Sequence, residues 1–114
     1  MNAYVIPGLI HLKREDYIFY DVCEKLKIDP SELKQNHKCR KRKYLEARYI
    51  ISTRIRIELK YSWSTIGTFL RKDHATAIHS VKTFLNLWDT NREFREKAYD
   101  IFDGKRPEII FNGE

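Results

Sequence analysis

Residues 63–88 read WSTIGTFLRKDHATAIHSVKTFLNLW, and the order of residue types in this stretch decides the fold. Ser62 is placed to cap a short helix over Trp63–Leu70. Gly67 inside that helix costs about 1 kcal/mol relative to alanine, a cost met where helices pack closely. Arg71 and Lys72 make a turn. Asp73 is a strong N-cap for a second helix reaching about Trp88, with an apolar stripe at Ile78, Val81, Leu85 and Trp88. His74, Ala75 and Thr76 fall in its exposed first turn. Two helices on a tight turn, the second offering its start to solvent, are the layout of a helix-turn-helix.

Working outward, helical periodicity continues from residue 14 to about residue 103. Arg14 to Leu26 carries one stripe at Tyr17, Ile18, Val22 and Leu26. Asp29-Pro30-Ser31-Glu32 joins an N-cap to a proline at the first helical position and starts a short turn through Leu33. Lys34 to Lys41 reads as a polar connection. A long helix is expected from Arg42 to Lys60, with Ala47, Ile51, Ile55 and Leu59 buried. Arg48, Ser52 and Arg56 repeat at the same interval on a separate polar face, free to meet phosphates. Thr90-Asn91-Arg92-Glu93 matches a capping box and opens a last helix through about Phe102, ended by Gly104. The expected fold is therefore all-α: about five helices over residues 14–103, between an N-terminal arm (1–13) and a C-terminal tail (104–114). Tyr4-Val5-Ile6 and the tail Pro107 to Phe111 are strand-like, and either pair or pack as arms. A chain of 114 residues buries one modest core.

The net charge of +6 is unevenly spread. Residues 38–73 hold eleven Lys or Arg against three acids, a local +8, and the remainder sums to −2. Such a block points to a polyanionic partner. Two cysteines and no secretory leader pattern imply a reducing, cytoplasmic setting, at the nucleoid if the polyanion is DNA. His37 and Cys39 lack a second pair at ligand spacing, so no metal is expected. The apolar run Ala3–Ile10 is broken by Pro7 and Gly8 and too short to cross a bilayer. Trp63, Phe84 and Trp88 sit at core spacing, which argues against a stacking platform for single strands. His79, one position past Ile78, reads as a packing or hydrogen-bonding residue. Arg92, Arg95 and Lys97 alternate with Glu93 and Glu96 as a solvated face.

In a helix-turn-helix the second helix reads base edges in the major groove while its surroundings hold the backbone. Arg71 and Lys72 lie where phosphates pass, and the open N–H groups at the start of the Asp73 helix favour an anion. Asp73 is able to accept from a cytosine amino group, His74 and Thr76 to contact base edges, and Ala75 to meet a thymine methyl.

Ile66-Gly67, Phe69 and Lys72-Asp73-His74-Ala75-Thr76-Ala77-Ile78-His79 together resemble the signature of the C-terminal DNA-binding domain of the bacterial replication initiator DnaA. The likeness runs without a gap back to Ala47-Arg48 and the basic patch Lys38 to Arg42, covering roughly residues 15–102. It implies the DnaA C-terminal, Trp-repressor-like arrangement in a bacterial or phage chain. It also implies recognition of a short A/T-rich box in double-stranded DNA by a monomeric domain. By resemblance, Arg40 enters the minor groove and Arg48 contacts DNA. Arg56 and Lys72 meet the backbone, and Asp73, His74, Ala75 and Thr76 read the major groove. Arg42, Lys43, Tyr49, Lys60 and Arg71 complete the candidate DNA-binding set.

Three departures stand out. The turn from Gly67 to Asp73 is one residue shorter than the family's and has Leu70-Arg71 in place of glycines. Ala75 replaces a threonine, and Tyr49 a glutamine. The four glycines form no phosphate loop, so ATP hydrolysis is not expected of this chain, nor is any cofactor. No nucleophile, paired carboxylates or metal set suggests an enzyme. A role in regulating replication initiation or transcription follows. The alternatives are a protein–protein adaptor using the basic helix and termini, or a nucleic-acid binder without sequence preference.

Overall fold

A computed structural model describes residues 13–111. Six α-helices follow one another: α1 (Arg14–Leu26), α2 (Pro30–Gln35), α3 (Arg42–Glu58), α4 (Trp63–Phe69), α5 (His74–Thr90) and α6 (Arg92–Tyr99), with a 3-10 turn at Asp100–Phe102. Among the described residues there is no strand. The helix beyond the expected five is α2, where Asp29 accepts from Ser31 N at 2.9 Å and Pro30 supplies the pre-set first φ.

Helices α2, α4, α5 and α6 each start where an N-cap side chain satisfies an open N–H group, whereas α3 starts without one. Ser62 Oγ accepts from Thr65 N at 3.1 Å and Asp73 Oδ1 from Thr76 N at 2.8 Å. The expected box at Thr90 is corrected: Asn91 Oδ1 caps α6 through Phe94 N at 2.9 Å. Thr90 still belongs to α5, its hydroxyl donating to Asn86 O at 2.7 Å. Asn91 is extended, and so divides the two helices one residue later than expected. Gly104 ends the helical part as expected, its N–H reaching Tyr99 O at 2.7 Å with φ at +74°.

The core is built on α3, whose Ala47, Ile50, Ile51 and Ile55 are fully buried against α1, α4 and α5. Each buried isoleucine contributes about 1.5–3 kcal/mol. Leu59 is only half-buried, because α3 ends at Glu58. The α5 stripe is rotated from the expected one: Ala77, Val81, Phe84 and Trp88 face the core, while Ile78 and Leu85 are half-buried. Small Ala77 and Ser80 turn toward α3 and let the helices approach.

The largest correction concerns the polar face of α3. Arg48 is 7% exposed and Ser52 not at all, so that row packs inward. Ser52 Oγ donates to Arg48 O at 2.8 Å, and Arg56 donates to Tyr61 O at 2.7 Å with its guanidinium 4.2 Å from the Trp63 ring centre. Arg48 and Ser52 are buried and Arg56 half-buried, and each polar head finds a carbonyl or a ring.

The pairing of Tyr4-Val5-Ile6 with the tail lies outside the described residues. The tail itself packs as an arm, with Pro107 buried and Phe111 against Trp63.

Candidate nucleic-acid interface

The turn between α4 and α5 is tight because Gly67 has no Cβ. Lys72 N donates to Gly67 O at 2.7 Å, and a Cβ on Gly67 would stand 2.6 Å from Asp73 O. Arg71 takes a left-handed φ of 61°, a conformation that costs a non-glycine residue about 1 kcal/mol. The chain thereby reaches Asp73 in the shortened turn and starts α5 with its first N–H groups toward solvent. Hydrogen bonds from Thr76 hold the Asp73 carboxyl below its usual range, so it is charged at neutral pH and fixes this first turn. His74 and Ala75 are exposed and Thr76 is half-buried.

A second wall comes from the loop after α2. The Arg48 guanidinium reaches out of α3 and donates to Cys39 O at 2.9 Å and to Asn36 O. That clamp folds residues 36–40 back toward α5. Between loop and helix lies a groove of about 450 Å³, whose lining includes Lys38, Arg40, Arg48, Tyr49, Lys72, Thr76 and His79. Burial, then the charges of Arg48, Arg40 and Lys38, push the Lys72 ammonium below its usual range, which shows four cations converging on one place. Among the described residues no acid lies within 4.0 Å of Lys38, Arg40, Arg71 or Lys72.

The other candidate cations do not join this cluster. Arg42 pairs with Glu46 at 2.7 Å and Glu93 at 3.5 Å, and Lys43 with Glu32 at 3.5 Å. Arg56 lies eight residues along α3 from Arg48, about 12 Å at the helical rise, where it is held by Tyr61 O and the Trp63 ring, and Lys60 stands beyond it. The groove thus gathers Arg40, Arg48, Tyr49, Lys72 and Thr76, with Arg71, Asp73, His74 and Ala75 on the adjoining turn and helix start, and Arg42, Lys43, Arg56 and Lys60 lie outside its lining. It adds Lys38 and His79. His79 is exposed on the groove wall, with Nε2 3.3 Å from Thr83 Oγ1. Its spacing of four from Ala75 and three from Thr76 was the available signal.

His37 sits behind the turn, its Nδ1 shut off from solvent with no hydrogen-bond partner among the described residues. Burial, then Arg71, Lys38 and Lys72, hold its pKa below the ordinary 6.5. Below pH 6.5 the unfolded chain therefore takes up a proton that the folded chain resists, and stability falls until the lowered pKa is passed. Melting temperatures from pH 7.5 to 5 should decline, and His37→Gln should flatten that decline. An equal slope in the variant would remove His37 as its source.

Against this geometry, the family model of the bacterial dnaA protein helix-turn-helix matches residues 16–83. The chain belongs to this DnaA family. It is 30% identical over 100 residues to the chromosomal replication initiator protein DnaA of Bacteroides fragilis, covering 87% of this chain and 21% of that protein. Against the DnaA of Flavobacterium psychrophilum it is 34% identical over 95 residues, 80% of this chain and 20% of that one. The Bacteroides thetaiotaomicron DnaA is 28% identical over 106 residues, 89% of this chain and 22% of the relative. The chain thus spans about a fifth of the length of these DnaA relatives. No solved structure matches it. The DnaA match runs from the first turn of α1 through α4, the clamped loop and the groove-facing part of α5, and it stops before α6 and the tail. Among the described residues no helix is long and apolar enough to cross a membrane, and no three His, Cys, Asp or Glu side chains are placed to hold a metal.

Proposed function

We propose that this chain binds double-stranded DNA in sequence-specific fashion, seating the first turn of α5 in the major groove and the Arg40 loop in the adjacent minor groove. The observation that carries the reading is the cluster of Lys38, Arg40 and Lys72, without acidic partners among the described residues, in the same groove as Thr76 and His79. A phosphate backbone supplies the anions such a cluster lacks. The relatives are named chromosomal replication initiator proteins, which supports a role in replication initiation; the target in this reading is a short A/T-rich box at the nucleoid, with transcriptional regulation as a further use. The binding unit is residues 14–103, and its work is recognition rather than catalysis.

Lys38, Arg71 and Lys72 hold phosphates, and Arg40 meets a fourth from the edge of the minor groove. His74, Ala75, Thr76 and His79 face base edges, and Asp73 holds their turn in shape. Arg48 positions the loop that carries Arg40, and Tyr49 lines the groove beside it. Arg42, Lys43 and Arg56 serve the packing of the helices, and Lys60 marks the outer edge of the basic block.

Fluorescence polarisation with a duplex selected from a random pool tests this. With four phosphates neutralised, log affinity against log salt should fall with a slope of about −3.5. The selected duplex should outcompete a scrambled one by about a thousandfold. His74→Ala should lower affinity for the selected duplex about tenfold and leave scrambled duplex alone. A flat salt response with no preference among duplexes would instead favour an adaptor that binds an acidic protein.

A further inference from the structure

We infer that residues 106–111 form a strap that braces α4 against α5 and so sets the angle at which the recognition helix is presented; its consequence for DNA rests on the reading above. After Gly104 the chain doubles back along the helix-turn-helix. Arg106 donates to both oxygens of Asp89 in α5, at 2.7 and 2.9 Å. Pro107 is buried. Phe111 lies flat on Trp63 of α4, ring centres 5.6 Å apart and planes within 5°, and Lys82 Nζ of α5 stands 5.3 Å from the Phe111 ring centre. Six residues therefore touch both halves of the motif.

α4 needs such a brace. With seven residues it is too short to persist alone, and only Leu70 to Lys72 separate it from the cap of α5. The Arg106–Asp89 pair is about half exposed and contributes little. The aromatic stack on buried Trp63 carries the strap. Lys82 and Asp89 are seven residues apart on one line of α5, and Thr76 and Ser80 lie more than about 100° around the helix from it. The strap thus holds the flank away from the cationic groove and leaves that groove open. Loosening it leaves every phosphate-binding cation in place but frees the base-reading turn to tilt, which removes discrimination before affinity.

Hydrogen exchange by mass spectrometry on the full chain, without DNA, reads the brace directly. In Phe111→Ala, amides of residues 70–76 should exchange about tenfold faster while α1 and α3 exchange as in the parent. Phe111→Tyr, which keeps the stack, should restore the parent rates. The preference for selected over scrambled duplex should fall about tenfold in Phe111→Ala with an unchanged salt slope. Unchanged exchange at 70–76, or equal acceleration in every helix, would overturn the strap. Selective acceleration in Phe111→Ala, when the parent protein prefers no duplex, would support the strap and refute the DNA reading.

Discussion

Gly67→Ala should abolish most sequence preference, lowering affinity for a selected duplex about a hundredfold while binding to scrambled duplex stays within a few-fold. The added Cβ would lie 2.6 Å from Asp73 O, 2.7 Å from Asp73 C and 2.8 Å from Lys72 O. All three are backbone atoms at the start of the recognition helix, so no side-chain rotation relieves the clash. Either α4 backs away or α5 moves, and overpacking of this kind costs about 1–3 kcal/mol. Alanine's better helix propensity recovers only about 1 kcal/mol of that. Recognition tolerates misplacement of only about 0.5 Å, whereas phosphates tolerate more, hence the split between specific and general binding. Thermal melts beside the two titrations separate displacement from unfolding. A Gly67→Ala protein with parental discrimination would show that contact with α4 does not place the helix.

Arg48→Ala should weaken binding to every duplex, again by about a hundredfold, for a different reason. Its guanidinium is the tie on Asn36 and Cys39, and removing it strands the Cys39 carbonyl at about 1–3 kcal/mol and leaves Asn36 O only the Cys39 N–H. The loop holding Lys38 and Arg40 is then released, and those charges leave the groove. Burial lowers the pKa of Arg48, yet a guanidinium stays charged, so Lys72 titrates nearer its ordinary range once Arg48 is gone. Arg48→Lys should not rescue, because an ammonium lacks the planar fork that reaches two carbonyls at once. The salt slope separates positioning from direct contact. Loss of one phosphate contact reduces it by about one, and release of the loop by two or more. A change of one, with loop exchange rates unaltered, would make Arg48 a phosphate ligand and remove its role as a clamp.

Both variants show where sequence reading reaches and where it stops. The bounds of α1, the start of α3 and the caps at Ser62 and Asp73 were legible because each depends on side chains within four residues. Gly67 was legible as a close-packing position, though not the atoms it admits. The α5 stripe was read correctly at Val81 and Trp88 but turned too far at Ile78 and Leu85, which look more apolar than Ala77 and Ser80. The small residues nevertheless face inward, buried where α5 packs on the core.

Charge was the hardest property to sort. Arg40, Arg42, Lys43 and Arg48 are equivalent in composition, and neighbouring residues do not say which will be neutralised. Of these four, Arg42 alone has a local acid, Glu46 one helical turn away, whereas Lys43 meets Glu32 across the fold and Arg48 turns inward to Asn36 and Cys39. Periodicity and caps, acting within a turn or two of helix, were enough to specify an all-helical chain with a helix-turn-helix at 63–88. Which cations stay open to a phosphate, and which hold the scaffold, was decided by partners brought together only when the helices packed, since pairing falls off within a few ångströms and chain order does not encode that proximity.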